Sequence, residues 1–177
     1  MQINENEIKD IINFHCPRFS ELPKISLYKD QVILYIEEVL KPLNVDPTEK
    51  LLTSTMINNY VKQKVVSPPL NRRYNEKHIA YLIIVCLLKQ VYSLTEICEM
   101  INTQIDTYPT EKAYDFFCLE FERALKIVFS TREDIEPNSA SKMTLETELA
   151  RSTAYSVAHK IFVQKYLMYK RNSEVKK

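Results

Sequence analysis

The chain has 177 residues, is 45% hydrophobic and carries a formal net charge of +1, which is enough for one buried core or two small ones. It contains no glycine. That excludes, as written, the phosphate-binding P-loop, the GxGxxG dinucleotide turn and the GxSxG nucleophile elbow, since each needs glycine for positive φ or close backbone approach, and it argues against two-residue hairpins and so against an antiparallel β fold.

Taken in chain order, the periodicity is helical. Residues 1–15 predict a short helix through Ile8, Ile11, Ile12 and Phe14, with no basic start or long apolar run to suggest a signal peptide. Pro17 and Pro23 bracket a loop, and Leu27–Leu40 reads as a helix with Val32, Ile33, Ile36, Val39 and Leu40 inward. Asp46-Pro47-Thr48-Glu49 has the form of a capped start and predicts a brief helical turn through Leu51 and Leu52. Thr53 or Ser54 opens a helix with Met56, Ile57, Tyr60 and Val61 inward and Asn58, Asn59, Lys62 and Gln63 outward. Ser67-Pro68-Pro69 stops it, and Leu70–Tyr74 is short, basic and extended.

Asn75 caps an apolar helix over 76–90, and Ser93-Leu94-Thr95-Glu96 is a capping box for the next one. The longest apolar run, Ile79–Leu88, has ten residues, half of the roughly 20 that a membrane span needs. After Tyr108-Pro109, a helix of about twenty residues carries Tyr114, Phe117, Phe121, Leu125 and Val128 inward and an acidic opposite face. Arg132–Ser139 reads as a loop. One long helix then runs from about Ala140 to Arg171, with Leu145, Leu149, Val157 and Ile161 apolar and an Ala150–Ala154–Ala158 stripe that permits close helix approach, before a frayed tail.

Charge is unevenly placed. Residues 51–90 hold Lys62, Lys64, Arg72, Arg73, Lys77 and Lys89 against Glu76 alone; residues 91–148 hold five basic against twelve acidic groups; residues 149–177 hold seven basic against one acidic. Such blocks can present a basic face on a nearly neutral molecule. Asn side chains can read adenine edges, and Lys can hold phosphate or guanine.

Catalytic and metal chemistry are not expected. The three histidines, His15, His78 and His159, lack metal-ligand spacing, and His15-Cys16 are adjacent and diverge. Glu37-Glu38 and Glu120/Glu122 read as solvated helix faces. Cys16, Cys86, Cys98 and Cys118 form no C-x-x-C pair and read as buried free thiols of a reducing cytoplasm. No cofactor is expected, and the chain does not read as an enzyme.

The segment 53–103 resembles the MerR-type winged helix-turn-helix. Asn58, Asn59 and Tyr60 stand where that family's recognition helix carries an Arg-Tyr-Tyr-like run, Lys62 matches the basic residue that follows, and Arg72 and Tyr74 match the Arg-x-Tyr that ends the wing. Lys64 stands where the family has glycine, the wing glycine is missing, and the wing is shorter by several residues. The chain also looks like an uncharacterised bacterial family of unknown function, on the runs Thr55–Lys64, Pro68-Pro69 and Arg73–Ile83, over most of residues 20–170.

The resemblance implies an all-α fold. Residues 1–26 would be an N-terminal extension, 27–104 a MerR-like winged helix-turn-helix, and 105–177 a helical C-terminal region that dimerises. It implies a cytoplasmic, sequence-specific DNA-binding transcriptional regulator, a homodimer on double-stranded DNA. Asn58, Asn59 and Lys62 would approach bases, Tyr60 would support the helix or touch the backbone, and Lys64, Arg72, Arg73 and Lys77 would bind phosphate. The alternative is a helical protein-interaction module whose helix-turn-helix no longer binds DNA, which the acidic 91–148 block favours.

Overall fold

Amphipathic periodicity becomes helix almost everywhere it occurs in the computed structural model, which describes residues 5–46, 48–129 and 144–174. Helix α1 spans Glu5–Ile12 and is followed by a single 3-10 turn at Phe19–Glu21. Strand β1 is Leu27–Tyr28, and α2 follows directly as Lys29–Leu40. Helix α3 is Ser54–Lys62, strand β2 is Arg73–Tyr74, and α4 is Glu76–Leu88. Helices α5 (Leu94–Thr107), α6 (Thr110–Phe129) and α7 (Leu145–Glu174) complete the chain. The fold is therefore mostly helical, with one two-stranded sheet among the described residues.

The inward stripes fall as the spacing predicts. Val32, Ile36 and Leu40 of α2 are buried, with Ile33 and Val39 half-buried beside them. Helix α4 is buried almost all round, through Ile79, Ala80, Leu82, Ile83 and Val85–Leu88. One hydrophobic cluster runs from Ile11 and Phe14 through α4 to Ile161 of α7. Helix α1 and the segment after it lie on α6, where Phe14 meets Phe121 edge to face at 6.1 Å.

Several local expectations are corrected. Leu27 and Tyr28 do not begin the helix: they pair antiparallel with Tyr74 and Arg73, which keeps Tyr28 extended until Lys29. No helical turn forms over 48–52. The Asp46 carboxylate instead accepts from the Thr48 amide at 2.8 Å and hydroxyl at 2.6 Å, closing a turn on itself.

The chain does make a tight two-residue turn, without glycine. Asn71 and Arg72 sit at φ 50° and 61°, and the Arg73 amide donates to the Leu70 carbonyl at 2.9 Å. Two central residues of positive φ are the mark of a type I′ turn. Its second strand pairs with β1 rather than continuing a long hairpin.

The acidic face of α6 is not merely solvated. Glu120 is buried, within 3.1 Å of Arg151 Nε and 3.7 Å of Arg123 Nη1, and Glu122 is held by Arg18 at 2.7 Å. The Ala150–Ala154–Ala158 stripe of α7 is buried within its own chain, in the extensive contact with α6. The expected loop over 132–139 and the first residues of the last helix, 140–143, lie outside the described residues.

Candidate nucleic-acid interface

The polar side of α3 is set by how the helix is fastened at both ends. Thr53 caps it, its hydroxyl accepting from the Met56 amide at 3.2 Å. At the other end Lys64 takes φ 60°. The Lys64 amide then donates to the Val61 carbonyl at 3.0 Å, and the Val65 amide to the Tyr60 carbonyl at 3.0 Å. That pair of bonds is a Schellman motif, with Lys64 in the position that usually takes glycine. Ile57 and Tyr60 are pinned in the core, so Asn58, Asn59, Lys62 and Lys64 face outward.

Ser54, Asn58 and Val61 form one wall of a cleft of about 550 Å³. Tyr28, Lys29 and Asp30 form a second wall, and Pro69, Arg72 and Tyr74 a third. The cleft thus joins the outer face of α3, the start of α2 and the basic turn. The β1–β2 pairing brings the second and third walls together.

His78 anchors the floor of the turn. Its Nδ1 lies 2.6 Å from Asn75 Oδ1 and its Nε2 lies 3.1 Å from Ser67 Oγ. The buried ring thereby ties the Ser67-Pro68 stretch to the start of α4, and Tyr74 packs edge-on against it at 5.6 Å.

The expected contact residues divide. Lys62, Lys64 and Arg72 are exposed and make no ion pair or hydrogen bond through their charged groups with any described residue. Arg73 is exposed but occupied, stacked 4.3 Å over the Tyr28 ring and donating to the Tyr28 hydroxyl at 2.8 Å. Lys77 is exposed but turned to α6, where it pairs with Glu111 at 3.7 Å. Lys77, grouped by the sequence with Lys64, Arg72 and Arg73, thus does not line the cleft. Lys77 belongs to the α4–α6 side because it sits in the first turn of α4, beyond the sheet.

Tyr60 is 4% exposed, and burial raises its hydroxyl pKa to about 12. Of the two roles expected for it, its burial fits the support of α3. The two asparagines are exposed as expected, but their amides are engaged. Asn58 Oδ1 accepts from Lys29 Nζ at 2.7 Å, and Asn59 Oδ1 from Gln63 Nε2 at 3.1 Å. Each keeps its NH₂ group for a partner.

Lys29 is the residue that sequence reasoning missed. It lies 29 positions from Asn58 and looks like an ordinary helix-start lysine. Its place directly after a Tyr that faces the wing-like turn is the only signal, and that signal depends on knowing the strand pairing.

Among the described residues no group of three His, Cys, Asp or Glu side chains is placed to hold a metal ion, and no helix is long and apolar enough to cross a membrane. No curated protein and no solved structure matches the chain. A family described as "Domain of unknown function (DUF1836)" matches residues 17–117. The match takes in β1 through α5, every wall of the cleft and the first turns of α6, and the chain belongs to that family.

Proposed function

We propose that the chain is a sequence-specific double-stranded DNA-binding protein, a bacterial transcriptional regulator. In this reading α2, α3 and the turn before β2 act as a MerR-like winged helix-turn-helix. The observation that carries it is the cleft in which Asn58 of α3's exposed polar face meets Lys29 and Arg72, with Lys62 and Lys64 exposed at the C-terminal end of the same helix. A helix of about 10–12 Å diameter fits a major groove about 12 Å wide. Asn58 and Asn59 would present amide NH₂ groups to base edges, with Asn58 braced by Lys29. Lys62, Lys64 and Arg72 would meet phosphates and release counterions. Arg73 would act as a strut that fixes the turn through Tyr28, with its exposed edge still facing outward.

A homodimer on a pseudo-palindromic site belongs to the same proposal, since one small module makes few contacts. Among the described residues, Leu145, 87% exposed, and Leu149, 36% exposed, are apolar positions of α7 that a second copy would cover.

A gel-shift titration against sheared genomic DNA at several salt concentrations tests the reading. Binding should fall steeply with salt, and Arg72→Ala should weaken binding to all sequences alike and flatten the logarithmic salt slope by about one. Absence of binding at low salt would overturn it. The second reading, a helical protein-interaction module, draws on different observations: the asparagine carbonyl oxygens are engaged, Lys77 is neutralised by Glu111, and Leu34 and Leu70 are exposed.

A further inference from the structure

Cys16 and Cys118 lie 102 positions apart in sequence, yet their sulfurs approach to 3.1 Å. That is about 1 Å longer than an S–S bond of roughly 2.05 Å. Both residues are free thiols with 0% exposure. They form a hydrogen-bonded chain: the Cys118 thiol donates to Cys16 Sγ, which lies 3.9 Å from the Tyr114 hydroxyl, and that hydroxyl donates to the Pro17 carbonyl at 2.9 Å. The chain joins the segment after α1 to α6.

Glu122 clasps the same segment from outside. Its Oε1 accepts from the Cys16 amide and from Arg18 Nη1, each at 2.8 Å, and its Oε2 accepts from Arg18 Nη2 at 2.7 Å. His15 Nδ1 adds a contact at 3.2 Å. We infer that Cys16 and Cys118 are an oxidisable dithiol whose disulfide locks the segment at residues 13–18 onto α6, and that the Glu122 clasp controls access to it.

The oxidant is a low-molecular-weight disulfide. In the closed protein both sulfurs are covered, and burial pushes the Cys118 thiol well above its ordinary range, so the reaction runs through an opened segment. One cysteine, deprotonated on exposure, attacks the small disulfide, breaking its S–S bond and releasing one thiol. The second cysteine attacks the mixed disulfide, forms the Sγ–Sγ bond and releases the other thiol. The two cysteine protons end on the two released thiols. The cysteines lose two electrons in all and the small disulfide gains them.

The test uses the full chain with Cys98→Ser, which removes a half-buried thiol able to pair between molecules. It is incubated with oxidised glutathione and mapped under non-reducing conditions by mass spectrometry. The expected product is a single 16–118 disulfide, with a melting temperature several degrees above the reduced form because a long loop is closed. Glu122→Gln should form it several-fold faster, and low urea should accelerate the unsubstituted clasp in the same way, a measurement that stands if Glu122→Gln does not fold. Prolonged incubation that leaves both thiols free, or ends in a glutathione adduct on one of them, overturns the pair. A rate unaltered both by Glu122→Gln and by low urea overturns the role of the clasp.

Discussion

Lys64 shows how a single residue can serve folding and surface charge at once. A non-glycine residue in the left-handed region costs about 1–2 kcal/mol, while glycine loses more chain entropy on folding, about 0.5–1 kcal/mol. Lys64→Gly should therefore raise the unfolding free energy by about 0.5–1 kcal/mol in urea titrations; a lowered midpoint shows that φ 60° is not strained there. The same change removes one unpaired cation, so DNA affinity should fall while stability rises, a combination that a folding defect does not produce. Glu96 belongs to this scale as well. The Ser93 hydroxyl and then its amide, both at 2.7 Å, hold the Glu96 carboxyl below its ordinary range. The folded state thus binds fewer protons than the unfolded one. The contribution is complete above the ordinary carboxylate pKa of about 4.3 and is lost as pH falls through the lower folded value. Urea midpoints should drop on acidification from about pH 6 to about pH 3, and Glu96→Gln should flatten that dependence; an unchanged slope would show that the cap carries no proton linkage.

Among the elements, α3 depends on its ends because nine residues make too few internal bonds to be stable alone. Thr53 supplies the missing acceptor at the start, and Thr53→Ala should cost about 1 kcal/mol of stability by urea titration. Because Thr53 lines none of the three cleft walls, DNA affinity per folded molecule should change little; a large affinity loss at unchanged stability would place Thr53 in the interface itself. The two ends were unequally legible. Thr53 before a polar-apolar run is a plain start signal, and Pro68-Pro69 is a plain stop. The Schellman end at Lys64 was not legible, since lysine is an unusual residue for it. The type I′ turn at Asn71-Arg72 was hidden for the same reason, in a chain where glycine never marks a turn.

For the molecule as a whole, the decisive contact is α6 against α7. The alanine stripe of α7 permits close approach of another helix, and Ala154, Val157, Ala158 and Ile161 are all 0% exposed within one chain. Small residues allow close approach to whichever helix comes first, and here that helix is α6. Ala154→Leu should overpack this contact and destabilise the monomer by about 1–3 kcal/mol in denaturant. A fully stable but dissociated variant would instead place the stripe at an interface between copies. If the proposed homodimer forms, Leu145→Lys with Leu149→Lys should abolish dimer mass in light scattering and leave the thermal transition nearly unchanged, because both side chains are substantially exposed; a dimer that survives both changes is not built on this end of α7.

Periodicity and capping chemistry were enough to find every long helix, the inward positions of α2, α3 and α4, and the exposed polar face of α3 with Asn58, Asn59 and Lys62. These are local properties: a 3.6-residue repeat states which side of a helix turns from water, and a Ser or Thr before it states where it begins. What such signals do not contain is the identity of the opposing surface. The pairing of Leu27 with Tyr74, Lys29 with Asn58, Glu120 with Arg151 and Cys16 with Cys118 joins positions from 29 to 102 residues apart. No local preference encodes these pairs, because each exists only after the core has closed and brought two unrelated stretches to the same place. The shared cleft of α3 and the basic turn, the diversion of Lys77 to Glu111 and the burial of the alanine stripe are consequences of that closure.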